Sequence, residues 1–320
     1  MTCTESCGAS TDAGNVSYEL PTIHPVFAIR AEGKNHTAAF AQAANSPEAQ
    51  PPTLRAAKIM ALTALDLLTD PTLVSDIKRE FAEWKNRRSE EGTCIAMAAD
   101  FSSLVRNVLE AKANQLLEVS KFLWENPETA LHETKAHDRL CDFLEREGFK
   151  VRRRHYMDTA FRAEYDAPGG TDGPTVALMA EYDALPDIGH GCGHNLVAQS
   201  VLGAAMAVKE AMLKVAKLRG KIVVLGTPAE EDNVGKITLL EKGAFNDIDV
   251  AMTAHPGAQD VLRTAFSASQ KLTVTYTGKA THAAASPWDG VNAADAAVSA
   301  YLGLAMLRHR IKDTARILGK

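Results

Sequence analysis

Three short stretches hold the residue types from which a metal site can be made. In GHGCGHN, His190, Cys192 and His194 recur at every second position, which in an extended segment puts all three side chains on one side. Thiolate and imidazole suit zinc or a similar transition metal. By itself a Cys-x-His pair reads more simply as a glycine-rich turn with a satisfied histidine. In TPAEED the side chains of Glu230 and Glu231 diverge, so one carboxylate can bind a metal while its neighbour faces a bound water. This division suits metal-assisted hydrolysis, in which the metal lowers the pKa of a water and the free carboxylate relays its proton to the leaving group. A solvated acidic turn is the commoner meaning of a Glu-Glu pair. The third stretch, Thr253-Ala254-His255-Pro256, holds a histidine that alone reads as structural.

The elements that precede these stretches raise them above their separate readings. Apolar runs at 176–179, 222–225 and 250–253 alternate with a helical stretch from Leu196 to about Lys217, the signature of a mostly parallel α/β sheet flanked by helices. In such a sheet chemistry collects beyond the C-terminal strand ends. Each run leads into His, Cys or Glu residues, the first also through Glu181 and Asp183. Three strands delivering donors to one sheet edge is far less probable by chance than any one of them, and the joint reading is a metal site.

The rest of the chain supplies supporting elements. Residues 1–53 are rich in proline and read as loops, whereas Ile59, Leu62, Leu65 and Leu68, then Leu73, Ile77 and Phe81, predict a helical hairpin broken at Asp70-Pro71. The polar stretch 85–99 reads as a linker. Asp100 or Ser102 can then cap a helix running to Asn126-Pro127, and a second helix around Leu140, Phe143 and Leu144 stops at Gly148, before a polar strand near Val151. After 264, Leu272, Val274 and Tyr276 predict a strand, Gly278 a turn, and 292 to about 311 a helix, the start of a smaller α+β domain.

Composition narrows the partners. Lys+Arg 35 against Asp+Glu 40 gives a net charge of −5, which argues against nucleic acid and against anionic lipid as targets of bulk charge. No apolar run reaches the roughly eighteen residues of a bilayer span, and the N-terminus lacks the features of a secretory signal, so the expectation is a cytoplasmic protein that does not cross a membrane. The cysteines at 3, 7, 94, 141 and 192 are too scattered for a disulfide framework, and Cys3 and Cys7 lack a second pair with which to build a structural zinc site.

EYDALPDIGHGCGHN, GTPAEED, AHPG and GKATHAAASPWDGVNAADAA, in that order, resemble the motifs of peptidase family M20, the family of aminoacylase, carboxypeptidase G and the indoleacetyl-amino-acid hydrolases, and most of all its Xaa-Arg dipeptidase-like branch. The resemblance implies a zinc-peptidase-like α/β catalytic domain and a lid, or dimerisation, domain. It makes Cys192, His194, Glu231 and His255 ligands of two divalent ions, zinc or alternatively manganese, Glu230 the general base, and Asp183 a residue that holds a ligand in position. Glu181 lies where many relatives have a metal-binding histidine, so its role is open, and the motif does not require His190. His282 resembles the histidine that reaches a partner subunit's active site and steadies the oxyanion. The implied substrate is a small dipeptide or N-acyl amino acid, and the implied assembly a homodimer formed through the lid.

The resemblance also implies that the order is permuted. Residues 1–84, with GASTDAGNVSYELPTIHPVFAI and GKNHTAAF, resemble the C-terminal part of the family's catalytic domain; 85–99 would be a linker, 100–264 the N-terminal part and 265–320 the first part of the lid. By this match His36 is the last metal ligand, with Asp12 and His24 in the neighbouring segment; without it His36 reads as a loop histidine. A working circular permutant is one explanation. A fusion of two gene copies, with Met97 the start of the second, is the favoured one, because half the lid is found in neither piece. The fusion reading carries a second functional expectation: a homologue that binds metal without efficient turnover and exposes an unpaired sheet edge and helix face.

Overall fold

The computed structural model describes residues 11–87, 101–232, 234–262, 268, 272–311, 315 and 317. They divide between two compact units, 1–269 and 270–320.

The first unit is built on a six-stranded sheet in the order β1-β7-β5-β6-β4-β3. Its strands are β1 (Thr22–Ile23), β3 (Lys150–Arg153), β4 (Phe161–Asp166), β5 (Thr175–Ala180), β6 (Lys221–Gly226) and β7 (Val250–Met252). β1, β7, β5 and β6 run parallel, while β4 and β3 complete the edge antiparallel. A separate parallel pair joins β2 (Val26–Ala28) to β8 (His255–Gly257), with Val26 opposite His255.

The central strands are apolar on both faces because helices cover both. Val176, Leu178, Ile222 and Val224 face a core shared with α3 (Gln50–Thr69), α5 (Ser102–Glu125), α6 (Thr134–Arg146) and α7 (His194–Lys214). The alternate residues Ala177, Met179, Val223 and Leu225 face a smaller core that includes α1 (Asp12–Ser17) and α8 (Gly235–Glu241). That alternation is the period of a strand packed on two sides. α7 is long and apolar enough to cross a bilayer, contrary to the expectation from the sequence, but 83% of its apolar window is buried within the protein. Its apolarity therefore reflects its place in the core.

Several sequence expectations change. α3 begins at Gln50 rather than Leu54, with Pro51 and Pro52 in its first turn, where proline's missing N–H is tolerated. α2 (Ala38–Ala44) and the strands β1 and β2 occupy the stretch read as loops. Ser102 is the first residue of α5, Phe101 stands at the cap without a side-chain hydrogen bond, and Asp100 lies outside the described residues. α4 (Pro71–Arg87) continues past residue 85; the remainder of the expected linker, Met97, Cys3, Cys7 and Cys94 lie outside the described residues.

In the second unit, Leu272, Val274 and Tyr276 form no strand. Their alternation has no partner strand among the described residues; a single bridge joins Lys279 to Val291. The helix expected over 292 to about 311 is α9 (Ala293–Leu307), shorter at its C-terminal end, and Asn292 caps it by accepting from the Ala294 N–H.

Candidate metal centre

The C-terminal ends of β5, β6 and β7 deliver their side chains to one place. β5 runs into Glu181 and Asp183, and the following loop turns into α7, of which His194 is the first residue. Gly193 permits that turn: its φ is 81°, and a Cβ there would lie 2.6 Å from Pro256 Cγ. β6 leads to Ala229, which has a φ of 57°, and then to Glu230 and Glu231. The buried carboxylate of Glu133 accepts the Ala229 N–H at 2.8 Å and the Thr159 hydroxyl at 2.8 Å, pinning this strained turn from below.

Cys192 Sγ lies 3.5 Å from His255 Nε2. His194 Nε2 lies 3.8 Å from Glu231 Oε1 and 3.7 Å from Glu230 Oε2. Donor atoms of Cys192, His194 and His255 lie within 4.8 Å of one another, as do those of His36, Cys192 and Glu231 and those of His194, Glu230 and Glu231. His36 arrives from the N-terminal segment, its N–H bonded to Gly191 O and its Nε2 3.5 Å from Glu231 Oε2. Asn35 fastens the same segment, donating to Cys192 O at 3.4 Å and Pro256 O at 3.1 Å.

These residues fit a transition-metal centre. His194 Nε2 and Glu231 Oε1 are buried without a hydrogen-bond partner, an arrangement that costs stability unless something electrophilic occupies the space. The other edge of each ring is held: His194 Nδ1 is 2.8 Å from the Asp183 carbonyl and 3.1 Å from its carboxylate, and His255 Nδ1 is 2.8 Å from Pro256 O. Metal-binding histidines are oriented in this way. Asp183 also accepts the Glu231 N–H at 2.9 Å, so one carboxylate sets two donors.

Electrostatics separate the members. Burial, and then the charge of Glu181, push Glu230 up to about 8, against the pull of Lys236. Burial holds His255 down at about 4, leaving the ring neutral at pH 7 as a ligand requires, and raises the Cys192 thiol. Burial disfavours the charged form of His194, but Asp183 and Cys192 outweigh it and raise its pKa.

Residues 177–315 match the model of peptidase family M20/M25/M40. Over 244 residues the chain is 43% identical to the mouse Xaa-Arg dipeptidase, covering 73% of this chain and 56% of that protein. The chain belongs to the M20 family. The human Xaa-Arg dipeptidase is 43% identical over 66% of this chain and 51% of its own length. A p-aminobenzoyl-glutamate hydrolase component from Escherichia coli K12 is 32% identical over 67% of this chain and 47% of its own length. The chain spans about half the length of these relatives.

Within this M20 chain not every sequence candidate reaches the centre. His190 is turned away: its Nε2 is 3.0 Å from Leu123 O, because residues 190–192 form a bend and turn rather than the extended segment that every-second-residue spacing presumed. Glu181 is fully buried with Oε1 2.8 Å from Lys236 Nζ and Oε2 3.6 Å from His194 Nε2. His282 is exposed in the second unit, where its Nδ1 accepts the Ala284 and Ala285 N–H groups. Thr11, which donates to Glu230 Oε1 at 2.6 Å, and Lys236 and Glu133 were not singled out from sequence. Thr11 and Lys236 meet partners more than 200 positions away, a relation no local pattern announces.

Proposed function

We propose that this chain is a metal-dependent hydrolase of amide bonds in dipeptides or N-acyl amino acids, with Xaa-Arg dipeptides the foremost substrates. The observation that carries the reading is the convergence of Cys192, His194, Glu231, His255 and His36 around unpartnered donor atoms at the strand ends. Mixed sulfur, nitrogen and carboxylate donors in two overlapping groups suit two ions, zinc in preference, with manganese as the alternative. When bound, the ions would supply Lewis acidity toward the scissile carbonyl and make a water more acidic.

The chain's own residues do the remaining work. Asp183 fixes the His194 ring and the Glu231 backbone. Thr11 holds one oxygen of Glu230 and leaves Oε2 directed at the donor cluster, 3.7 Å from His194 Nε2. From there Glu230 accepts the proton of the attacking water and returns it to the leaving amine, a role that suits a carboxylate whose pKa burial has lifted toward neutrality. His282 of the partner subunit, in a dimer formed through the second unit, would steady the oxyanion.

The permuted order belongs to this proposal. Residues 11–84 would act as the closing segment of the catalytic domain, a reading supported by the pairing of β1 with β7 and β2 with β8 and by the arrival of His36 at Glu231. The test is hydrolysis of Xaa-Arg dipeptides and N-acyl amino acids by the full chain, loaded with zinc or manganese and then stripped by chelation. Activity that follows metal content supports the reading; a chain that binds zinc at Cys192 yet cleaves neither class refutes the catalytic assignment.

A further inference from the structure

Beside the donor cluster lies a second concentration of charge, Asp12, Glu181 and Glu230, whose carboxylate oxygens also fall within 4.8 Å of one another. By spacing alone these carboxylates could take a divalent ion. They already enclose a cation. Lys236, the second residue of α8, is fully buried, with Nζ 2.5 Å from Asp12 Oδ1 and 2.8 Å from Glu181 Oε1. Its backbone N–H donates to Asp12 Oδ2 at 2.8 Å, so both oxygens of Asp12 are committed to the same residue.

The backbone makes this placement difficult to relax. Gly235 sits so close to the preceding loop that a Cβ there would fall 1.6 Å from Pro228 O. α8 therefore starts directly under the loop that carries Glu230, and the next side chain enters the carboxylate cluster. A buried ammonium is stable only when paired with anions, and two ionised carboxylates at contact distance meet that need.

We propose that the Lys236 ammonium is the resident cation of the Asp12–Glu181–Glu230 cluster, so that divalent ions bind on the Cys192–His194–His255–His36–Glu231 side alone and Glu181 positions the lysine instead of ligating metal. The open role of Glu181 is thereby assigned. Neither Glu181 oxygen makes a hydrogen bond, but Oε1 is ion-paired with Lys236, and an ion drawn onto Oε2 would have to share that carboxylate with the ammonium and meet its like charge. The lysine also puts a fixed positive charge beside Glu230, the base in the proposed hydrolysis, on which this inference rests.

The experiment is zinc content and zinc affinity of the full chain, by elemental analysis and competition with a chromogenic chelator, for the wild type, Glu181→Gln, Asp12→Asn and Cys192→Ser. The two carboxylate variants keep the wild-type number of ions, with dissociation constants within about threefold, while Cys192→Ser weakens binding at least about tenfold. Loss of one ion in Glu181→Gln or Asp12→Asn overturns the proposal. Should either variant fail to fold, the wild type still decides: with 15N-labelled lysine, a slowly exchanging buried ammonium signal, identified by its absence in Lys236→Arg, persists through zinc loading. Its disappearance on loading means that zinc displaces the lysine, and overturns the proposal. A wild type that binds no zinc sinks the metal-hydrolase reading and this inference together; zinc on the wild type that falls by one ion in Glu181→Gln sinks this inference alone.

Discussion

Two clusters of ionisable side chains share the C-terminal edge of the sheet, and they solve the problem of burial differently. Around Cys192, His194 and Glu231, donor atoms are aimed at one another across 3.5–3.8 Å, and His194 Nε2 and Glu231 Oε1 are left without hydrogen-bond partners. Around Asp12 and Glu181, the balancing charge is covalently part of the chain, the ammonium of Lys236. The first cluster is arranged for something from outside; the second already holds a cation, although both Glu181 oxygens are, like His194 Nε2, buried without a hydrogen bond. The first holds one carboxylate, Glu231, among sulfur and imidazole donors, and the second is built of carboxylates alone, so acidity by itself does not mark a metal site. Whether the chain itself supplies the counter-charge is what separates them.

The comparison can be broken at either cluster. Glu230 stands between them, and Glu230→Gln should lower kcat about 10²–10⁴-fold while zinc content is unchanged, as read by steady-state hydrolysis and elemental analysis. A variant that loses zinc in proportion would move Glu230 to the metal side. In the second cluster, Lys236→Met leaves buried carboxylates without their cation and should destabilise the metal-free protein by about 3–5 kcal/mol in urea denaturation. A loss below about 1 kcal/mol would mean that the carboxylates do without the ammonium, and the contrast would collapse.

On the metal side, Asp183→Asn weakens the orientation of both His194 and the Glu231 backbone and should cost about 10–100-fold in zinc affinity by chelator competition. Unchanged affinity would leave Asp183 a merely structural residue. The smallest effect is a control outside both clusters. His137 is buried, and burial lowers its pKa despite the hydrogen bond to Asp138. The unfolded chain therefore takes up the proton first, and the stability carried by the neutral ring is present above the ordinary histidine range and lost as pH falls through the folded-state value. His137→Gln should flatten the acid side of the stability profile without changing zinc affinity; a changed affinity would show that the two clusters are not insulated from the rest of the core.

How far the sequence discloses these clusters depends on the distance over which each residue is positioned. Val176, Ile222 and Val250 head apolar runs that are strands in the structure, and the donors of Cys192, His194, Glu230, Glu231 and His255 follow within the same local segments. His190 misled because spacing assumes a backbone: Gly189 with φ of 70° and Gly193 with φ of 81° make the loop turn, and alternate residues then diverge. β1 and β2, at two and three residues, are too short to show a period. His36 was legible only through family resemblance, because its neighbours in sequence hold no other donor of the cluster. Lys236 gave no signal at all, since its meaning depends on Asp12, 224 positions earlier. In the second unit, alternation at Leu272, Val274 and Tyr276, with no partner strand among the described residues, shows that a strand pattern alone is not sufficient for a strand.

The pairing of β1 with β7 and β2 with β8 has a consequence in time as well as in space. Thr11 and Glu230 are separated by 219 positions, and Asp12 and Lys236 by 224, so the earlier segment must wait for most of the unit before it can dock. Contacts of such sequence separation carry a large loop-closure cost and form late. During synthesis Asp12 and His36 emerge before the residues they join, and the site is assembled only when the earlier segment returns to the later one.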